Sequence, residues 1–244
     1  MAALRSLLFN LCFFAWTLAI VVLGLPCLLL PHRFTYRLGA FWVRIALALL
    51  GALVGLGHRV VGLEHRLPGA AIYAVKHQSA WDTLVFALLL DEPAYVLKRE
   101  LTWIPFFGWL LRRAGMIPVD RAGKASALRR MVGQARRTAA QGRPLLIYPE
   151  GTRTAPGEHR PYQPGVAALY GQLGLPVVPV ALNSGLFWGR RQFVKRPGTI
   201  TVEFLPAIPP GLPRRAFMAE LEKRLEGACA RLLQVGPPAR PAEN

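Results

Sequence analysis

The reading of the fold turns on AAIYAVKHQSAWDTLVFALLL, Ala70 to Leu90. Its first six residues, Ala70–Val75, form an apolar run of strand length. Polar Lys76, His77, Gln78 and Ser79 follow, and then a second apolar run, Leu84–Leu90, at helix length. A strand that feeds a helix through a short polar loop is the building unit of an α/β domain. The same alternation continues downstream. Further strands are expected at Ala94–Leu97, Met116–Val119, Pro144–Tyr148, Val177–Leu182 and Thr199–Phe204. Helices are expected at Ala80–Leu90, Glu100–Arg113, Ala125–Ala140, Gly165–Leu173 and about Pro213–Leu233. The predicted class is α/β, with a mixed and largely buried sheet flanked by helices.

Upstream of this unit the chain is far more apolar. No charged side chain lies between Arg5 and His32, and Leu7–Leu30 reads LLFNLCFFAWTLAIVVLGLPCLLL. That exceeds the roughly 20 apolar residues that cross a bilayer core. It is too long for the apolar part of a signal peptide, and no small-residue cleavage site follows it. A second apolar segment, Phe34–Leu56, carries Arg37 and Arg44, seven positions apart and so on one helical face. The pair is expected to form an N-terminal two-helix membrane motif, as two spans or as a hairpin dipping into one leaflet. The basic residues flanking both segments leave orientation undecided. The chain therefore divides into membrane-anchoring helices at 1–57, an α/β domain at 58–235 and a proline-rich tail at 236–244, expected to be disordered.

The charge is extreme for so apolar a chain: 30 basic against 13 acidic residues give +17, while 53% of residues are hydrophobic. A basic chain seeks anionic partners. Its positive mean hydropathy of +0.31 points away from a soluble nucleic-acid binder and toward a membrane surface. Ten basic and two acidic residues lie between Lys98 and Arg137. Within it, Arg129, Arg130, Arg136 and Arg137 fall on one arc of a helix, opposite Leu128, Met131, Val132 and Ala135. That arc is either a solvated face, a contact for anionic lipid, or a receptor for the phosphates of a carrier. Cys12, Cys27 and Cys229 are scattered without metal-ligand spacing and fit buried thiols in a reducing compartment.

Chemistry concentrates in four blocks. The first is Lys76–Thr83, KHQSAWDT, just after the first strand. His77 and Asp82 would stand roughly 140° apart on a continuous helix and would not meet. They meet if His77 lies in the loop and Asp82 in the first helical turn. Ser79-x-x-Asp82 resembles a capping box, with Ser79 at the N-cap and Asp82 at N3. A carboxylate on one imidazole nitrogen fixes the tautomer and leaves the other free as a general base. Taken alone, the pair reads equally as a helix cap beside an ordinary loop histidine. No G-x-S-x-G elbow is present, and Ser184 in LNSG lacks that context, so the substrate itself would supply the attacking hydroxyl. The second block, GMIPVDR, ends on Arg121. The third, Tyr148–Thr154, YPEGTRT, offers Gly151 for a tight turn, Arg153 for a phosphate, and Glu150 and Thr152 for hydroxyls. Arg121 reads equally as a solvated loop arginine and Glu150 as an ion-pair partner. The fourth, VVPVA at Val177–Ala181, holds Pro179, expected at a sheet edge or bulge.

In this order, H-x4-D, VDR, YPEGTRT and VPVA resemble the glycerolipid acyltransferases, specifically bacterial 1-acyl-glycerol-3-phosphate acyltransferases. Lys98-Arg-Glu-Leu101 followed by Ile104-Pro-Phe-Phe-Gly-Trp109 resembles the family's stretch between its first two blocks. The resemblance implies that His77 is the base and Asp82 its orienter. It implies that Arg121, Glu150, Gly151, Thr152 and Arg153, together with Lys98, bind the acceptor, and that Pro179 lies near the acyl site. Lys76 stands where many members have Asn, and Tyr148 where Phe is usual. The implied partners are membrane lipids, lysophosphatidate and an acyl thioester, acyl-CoA or acyl-ACP as co-substrate, with no nucleic acid. No metal and no dissociable cofactor is expected. The implied setting is the cell inner membrane, with the catalytic domain on the cytoplasmic side. The alternatives are the same chemistry on glycerol 3-phosphate or a lyso-aminolipid, and a non-catalytic basic membrane adaptor.

Overall fold

The computed structural model describes residues 1–120 and 123–234. Seven strands form one sheet: β1 Leu56–Val61, β2 Ile72–Val75, β3 Ala94–Lys98, β4 Ile117–Val119, β5 Leu145–Ile147, β6 Val177–Leu182 and β7 Gly198–Phe204. Their order is β1-β7-β6-β2-β5-β3-β4. Every neighbouring pair is parallel except β6 with β7, which makes the sheet mixed, as expected.

Strand periodicity divides the core. Along β2, Tyr73 and Val75 face one layer, with helices α1 (Ala2–Leu23), α2 (His32–Val54) and α3 (Asp82–Leu89). Ile72 and Ala74 face the other, with α5 (Lys124–Ala139), α6 (Pro164–Leu173) and α7 (Arg214–Gln234). Side chains of a strand alternate between its two faces. The alternation carries past the end of β2, sending Lys76 toward α7 and His77 toward α2 and α3. The apolar side of α5 is buried and its four arginines are exposed on the layer away from α1 and α2.

α1 and α2 pack side by side, tied by Trp16 Nε1 donating to the Trp42 carbonyl at 3.1 Å and Trp42 Nε1 donating to Thr17 Oγ1 at 3.0 Å. Both are long and apolar enough to cross a membrane. Neither hangs free. Lys195 Nζ donates to Asn10 Oδ1 at 2.6 Å, and Tyr36 Oη donates to the Ala87 carbonyl at 2.8 Å, so both helices are docked on the α/β domain. β1 begins at Leu56, directly after α2, without a linker.

Three expectations need correction. β1, LGHRVV, was not anticipated: it is an edge strand with largely exposed Gly57, His58 and Arg59, so it lacks an apolar run. The single helix expected at Glu100–Arg113 is two pieces, a 3₁₀ turn at Arg99–Trp103 and α4 at Phe107–Arg113. Pro105 and a left-handed Phe106 break it. The helix expected from Ala80 starts at Asp82. Half of the expected capping box is present, since Asp82 Oδ2 accepts the Ser79 amide at 2.7 Å. Pro179 sits in an interior strand, at a bulge, one of the two places expected for it. Val180 opposes Phe204, Leu205 N donates to the Pro179 carbonyl at 3.0 Å, and pairing resumes at Val177 with Ile208, so two residues of β6 face three of the chain beyond β7 and the missing N–H falls among them. The expected disordered tail and Arg121 lie outside the described residues.

Candidate active site

His77 and Asp82 meet at the C-terminal end of β2. His77 Nδ1 lies 3.2 Å from Asp82 Oδ2. The same oxygen accepts the amides of Gln78 and Ser79, each at 2.7 Å, and Oδ1 accepts Ser184 Oγ at 2.5 Å. The carboxylate is fully buried and acts as acceptor to all four neighbours. The shared proton therefore sits on Nδ1, which leaves the Nε2 lone pair free. Nε2 makes no hydrogen bond among the described residues, and His77 lines an open cavity. The imidazole lies flat against Tyr148, with ring centroids 4.0 Å apart, and Tyr148 Oη donates to the Asp82 carbonyl at 3.0 Å. Burial, reinforced by Tyr95 and the Asp82 charge, holds the Tyr148 phenol well above the ordinary tyrosine range. It stays a neutral donor.

The backbone of His77 is fixed from the third block. His77 N donates to Glu150 Oε2 at 3.0 Å, and its carbonyl accepts the Thr154 amide at 2.8 Å. Glu150 is buried: its Oε1 takes Thr154 Oγ1 at 2.6 Å and pairs with Lys76 Nζ at 2.7 Å. Lys76 also bonds both carboxylate oxygens of Glu226 on α7, at 2.8 and 2.9 Å. Tyr162 Oη donates to Glu226 Oε1 at 2.7 Å. Burial pulls the Lys76 pKa down, yet the hydrogen bonds and charges of Glu150 and Glu226 outweigh it and raise it above the ordinary lysine value. One cation thus holds two carboxylates, and through Glu150 it holds the loop that positions the imidazole.

Of the residues expected to bind substrate, Lys98, Gly151, Thr152 and Arg153 border the same cavity as His77. Gly151 has φ +68° and closes the turn by donating to the Tyr148 carbonyl at 2.9 Å. Lys98 is half-exposed, 3.2 Å from Glu100. Glu150 faces inward as an ion-pair partner and offers no oxygen to the cavity. Pro179, in register with Ala74, is inside the sheet and does not border the cavity. The cavity, about 550 Å³, runs from His77 between α2, α3, β3 and α4, past Leu84, Ala87, Tyr95 and Met116. Its walls are mostly apolar, with the cationic groups gathered at the His77 end.

Ser184, Lys76 and Glu226 were not identified as site residues from sequence. The LNSG stretch raises Ser184 only as a nucleophile, whereas in the structure its hydroxyl holds Asp82. Ser184→Ala leaves Asp82 Oδ1 buried without its donor, which should destabilise the fold by about 1–3 kcal/mol. Activity should fall less than on loss of His77. Denaturation midpoints and kcat measured on the same preparation check both.

The acyltransferase family model matches residues 58–183. A Pseudomonas aeruginosa protein named 1-acyl-sn-glycerol-3-phosphate acyltransferase is 35% identical, over 92% of this chain and 88% of its own. Human 1-acyl-sn-glycerol-3-phosphate acyltransferase alpha is 28% identical over 82% of this chain and 72% of its own. The crystal structure of the 1-acyl-sn-glycerophosphate (LPA) acyltransferase from Thermotoga maritima superposes with a TM-score of 0.78 and 21% identity, each chain covering 100% of the other, a likeness of fold.

Proposed function

Because this chain belongs to the acyltransferase family, we propose that it moves a fatty acyl group from an acyl thioester, acyl-CoA or acyl-ACP, to the sn-2 hydroxyl of lysophosphatidate, giving phosphatidate. The observation that carries this reading is a histidine with one nitrogen held by a buried carboxylate and the other facing an apolar cavity, with no nucleophile among the described residues bonded to it. The acceptor hydroxyl gives its proton to His77 Nε2 as its oxygen attacks the thioester carbonyl. The C–S bond then breaks, and the departing thiolate takes that proton back. No acyl-enzyme forms. The thioester is already activated, so the proposed reaction needs no metal or resident cofactor.

The cavity volume lies within the range of lipid-sized ligand pockets, and its apolar walls suit an acyl chain. Arg153, whose planar guanidinium can take phosphate oxygens in pairs, and Lys98 are the residues we assign to the acceptor phosphate, with Gly151 and Thr152 shaping the approach. Arg121 is assigned to the same group from its place in the sequence pattern. Glu150 acts from behind, on the loop. α1 and α2 set the domain, residues 58–235, at the bilayer; we place it at the cell inner membrane with the site on the cytoplasmic side. The basic-adaptor alternative gives no account of a cavity that ends on His77.

The test is acyl transfer by purified protein with a panel of acceptors and both donor types. Lysophosphatidate should be preferred over glycerol 3-phosphate and over a lyso-aminolipid without phosphate. Arg153→Ala should raise the acceptor KM roughly tenfold, as loss of one charge-assisted contact does. It should leave the donor KM in place. Equal use of a phosphate-free acceptor would reject lysophosphatidate as the substrate.

A further inference from the structure

Apolar side chains are exposed well beyond α1 and α2. Between positions 103 and 109, Trp103 is 58% exposed, Ile104 45%, Phe106 43% and Trp109 46%. A soluble surface rarely gathers so many large apolar groups in one short segment. Nor is this a slack loop. Thr102 is buried, its carbonyl accepts Arg112 Nη2 at 2.8 Å, and its Oγ1 donates to the Arg99 carbonyl at 2.7 Å. Gly108 lies so close that a β-carbon there would stand 2.3 Å from the Thr102 carbonyl oxygen. At the tip, Phe107 N donates to the Pro105 carbonyl at 2.6 Å around Phe106 at φ 61° and ψ −57°. This is the strained form of the γ-turn, kept only where the surroundings enforce it. The aromatic groups are held outward from a rigid base.

We infer that residues 103–109 are a second bilayer-contacting element, seated in the boundary between anionic headgroups and acyl chains beside the helical pair. Three observations choose a lipid surface as the occupant. The segment continues the apolar face of the anchor: Arg113 donates to the Leu30 carbonyl, and Leu29, in the turn joining α1 to α2, is 88% exposed. Trp at a rim of basic residues is the composition of a membrane interface. Here Arg99 lies 5.1 Å over the Trp103 ring, with Lys98, Arg112 and Arg113 adjacent in sequence. Finally, Phe107 within this segment, with Leu101 and Leu110 just outside its two ends, borders the cavity of His77, so bilayer and cavity share one wall. The arginines of α5 lie on the opposite layer and do not join this surface. The inference needs the membrane setting of the proposed function but not its chemistry.

The test uses the full chain with Cys12, Cys27 and Cys229 replaced by alanine and a polarity-sensitive fluorophore on Ile104→Cys. A control carries the fluorophore on Arg137→Cys, on exposed α5. In vesicles of phosphatidylcholine and phosphatidylglycerol, acyl-chain-brominated lipid should quench the probe at 104 and not at 137. Equal quenching at both positions, or none at 104, overturns the inference. So does shielding of 104 that persists in lipid-free detergent and grows with protein concentration, which would mark contact between copies. Independently, Ile104→Asp with Trp109→Ser should raise KM for vesicle-embedded acceptor roughly tenfold or more. Both kcat and KM should stay unchanged for a short-chain, water-soluble acceptor. A matching loss on the soluble acceptor would mean damage to the site and would also overturn it. If no acceptor is turned over at all, the proposed reaction fails while the quenching result still stands.

Discussion

His77→Ala should lower kcat/KM for acyl transfer by a factor on the order of 10² to 10⁴, the contribution of a positioned general base. The fold should survive, because the interactions that fix this segment are made by the His77 backbone with Glu150 and Thr154, not by its ring. The ring contributes its stack on Tyr148, so a small loss of stability is expected. Asp82→Asn tests the same step differently. The amide can keep its oxygen on Nδ1 and the Gln78 and Ser79 amides while its nitrogen donates to Ser184 Oγ, so the loop should hold and the loss should come from the missing negative charge beside the imidazole. Steady-state kinetics with thermal unfolding on each variant separates the two losses. Wild-type turnover by a folded His77→Ala protein would eliminate His77 as the base.

Lys76→Met should destabilise the chain by about 3–5 kcal/mol, because it leaves Glu150 buried, and Glu226 partly buried, without their cation. For a domain of this size that is a fall in Tm of about 10 °C or more. Activity should fall with it, since Glu150 holds the His77 amide. Neutralising both acids as well, Lys76→Met with Glu150→Gln and Glu226→Gln, should recover part of the stability, as removing a whole buried ionic cluster often does. The pH dependence has a definite sign. The folded Lys76 pKa lies above its ordinary value, so its contribution is complete below about pH 10.5 and is lost as pH rises through the folded pKa. The stability difference between wild type and variant should therefore be full and constant across neutral and mildly alkaline buffers, and should shrink only as pH rises through the folded Lys76 pKa. A variant as stable as wild type would mean that the carboxylates find other partners.

Much of the fold was legible because buried strands announce themselves as apolar runs. Ile72–Val75, Leu145–Ile147 and Val177–Leu182 are buried throughout, and their sequences show it. β1 was hidden for the opposite reason: its one strand neighbour is β7, and its exposed side permits Gly57, His58 and Arg59. Pro179 could be read because proline within a sheet is confined to edges and bulges, and here the neighbouring segment carries one extra residue opposite it. Within the site, His77 with Asp82 could be read from local spacing and a helix start. The cluster of Lys76, Glu150 and Glu226 could not, since its members are brought together only by sheet pairing and by α7 lying across the sheet. Ser184 was hidden likewise, 102 positions from Asp82.

The cluster and the edge strand together give the protein a schedule. β1 is among the first parts of the domain to leave the ribosome, yet its strand neighbour, β7, starts at Gly198. Glu226, which completes the charge balance around Lys76 and so steadies the loop behind His77, arrives later still. The apolar helices α1 and α2 are made before either. A partly synthesised chain can thus meet a lipid surface before the loop of His77 is set, and that loop waits on α7.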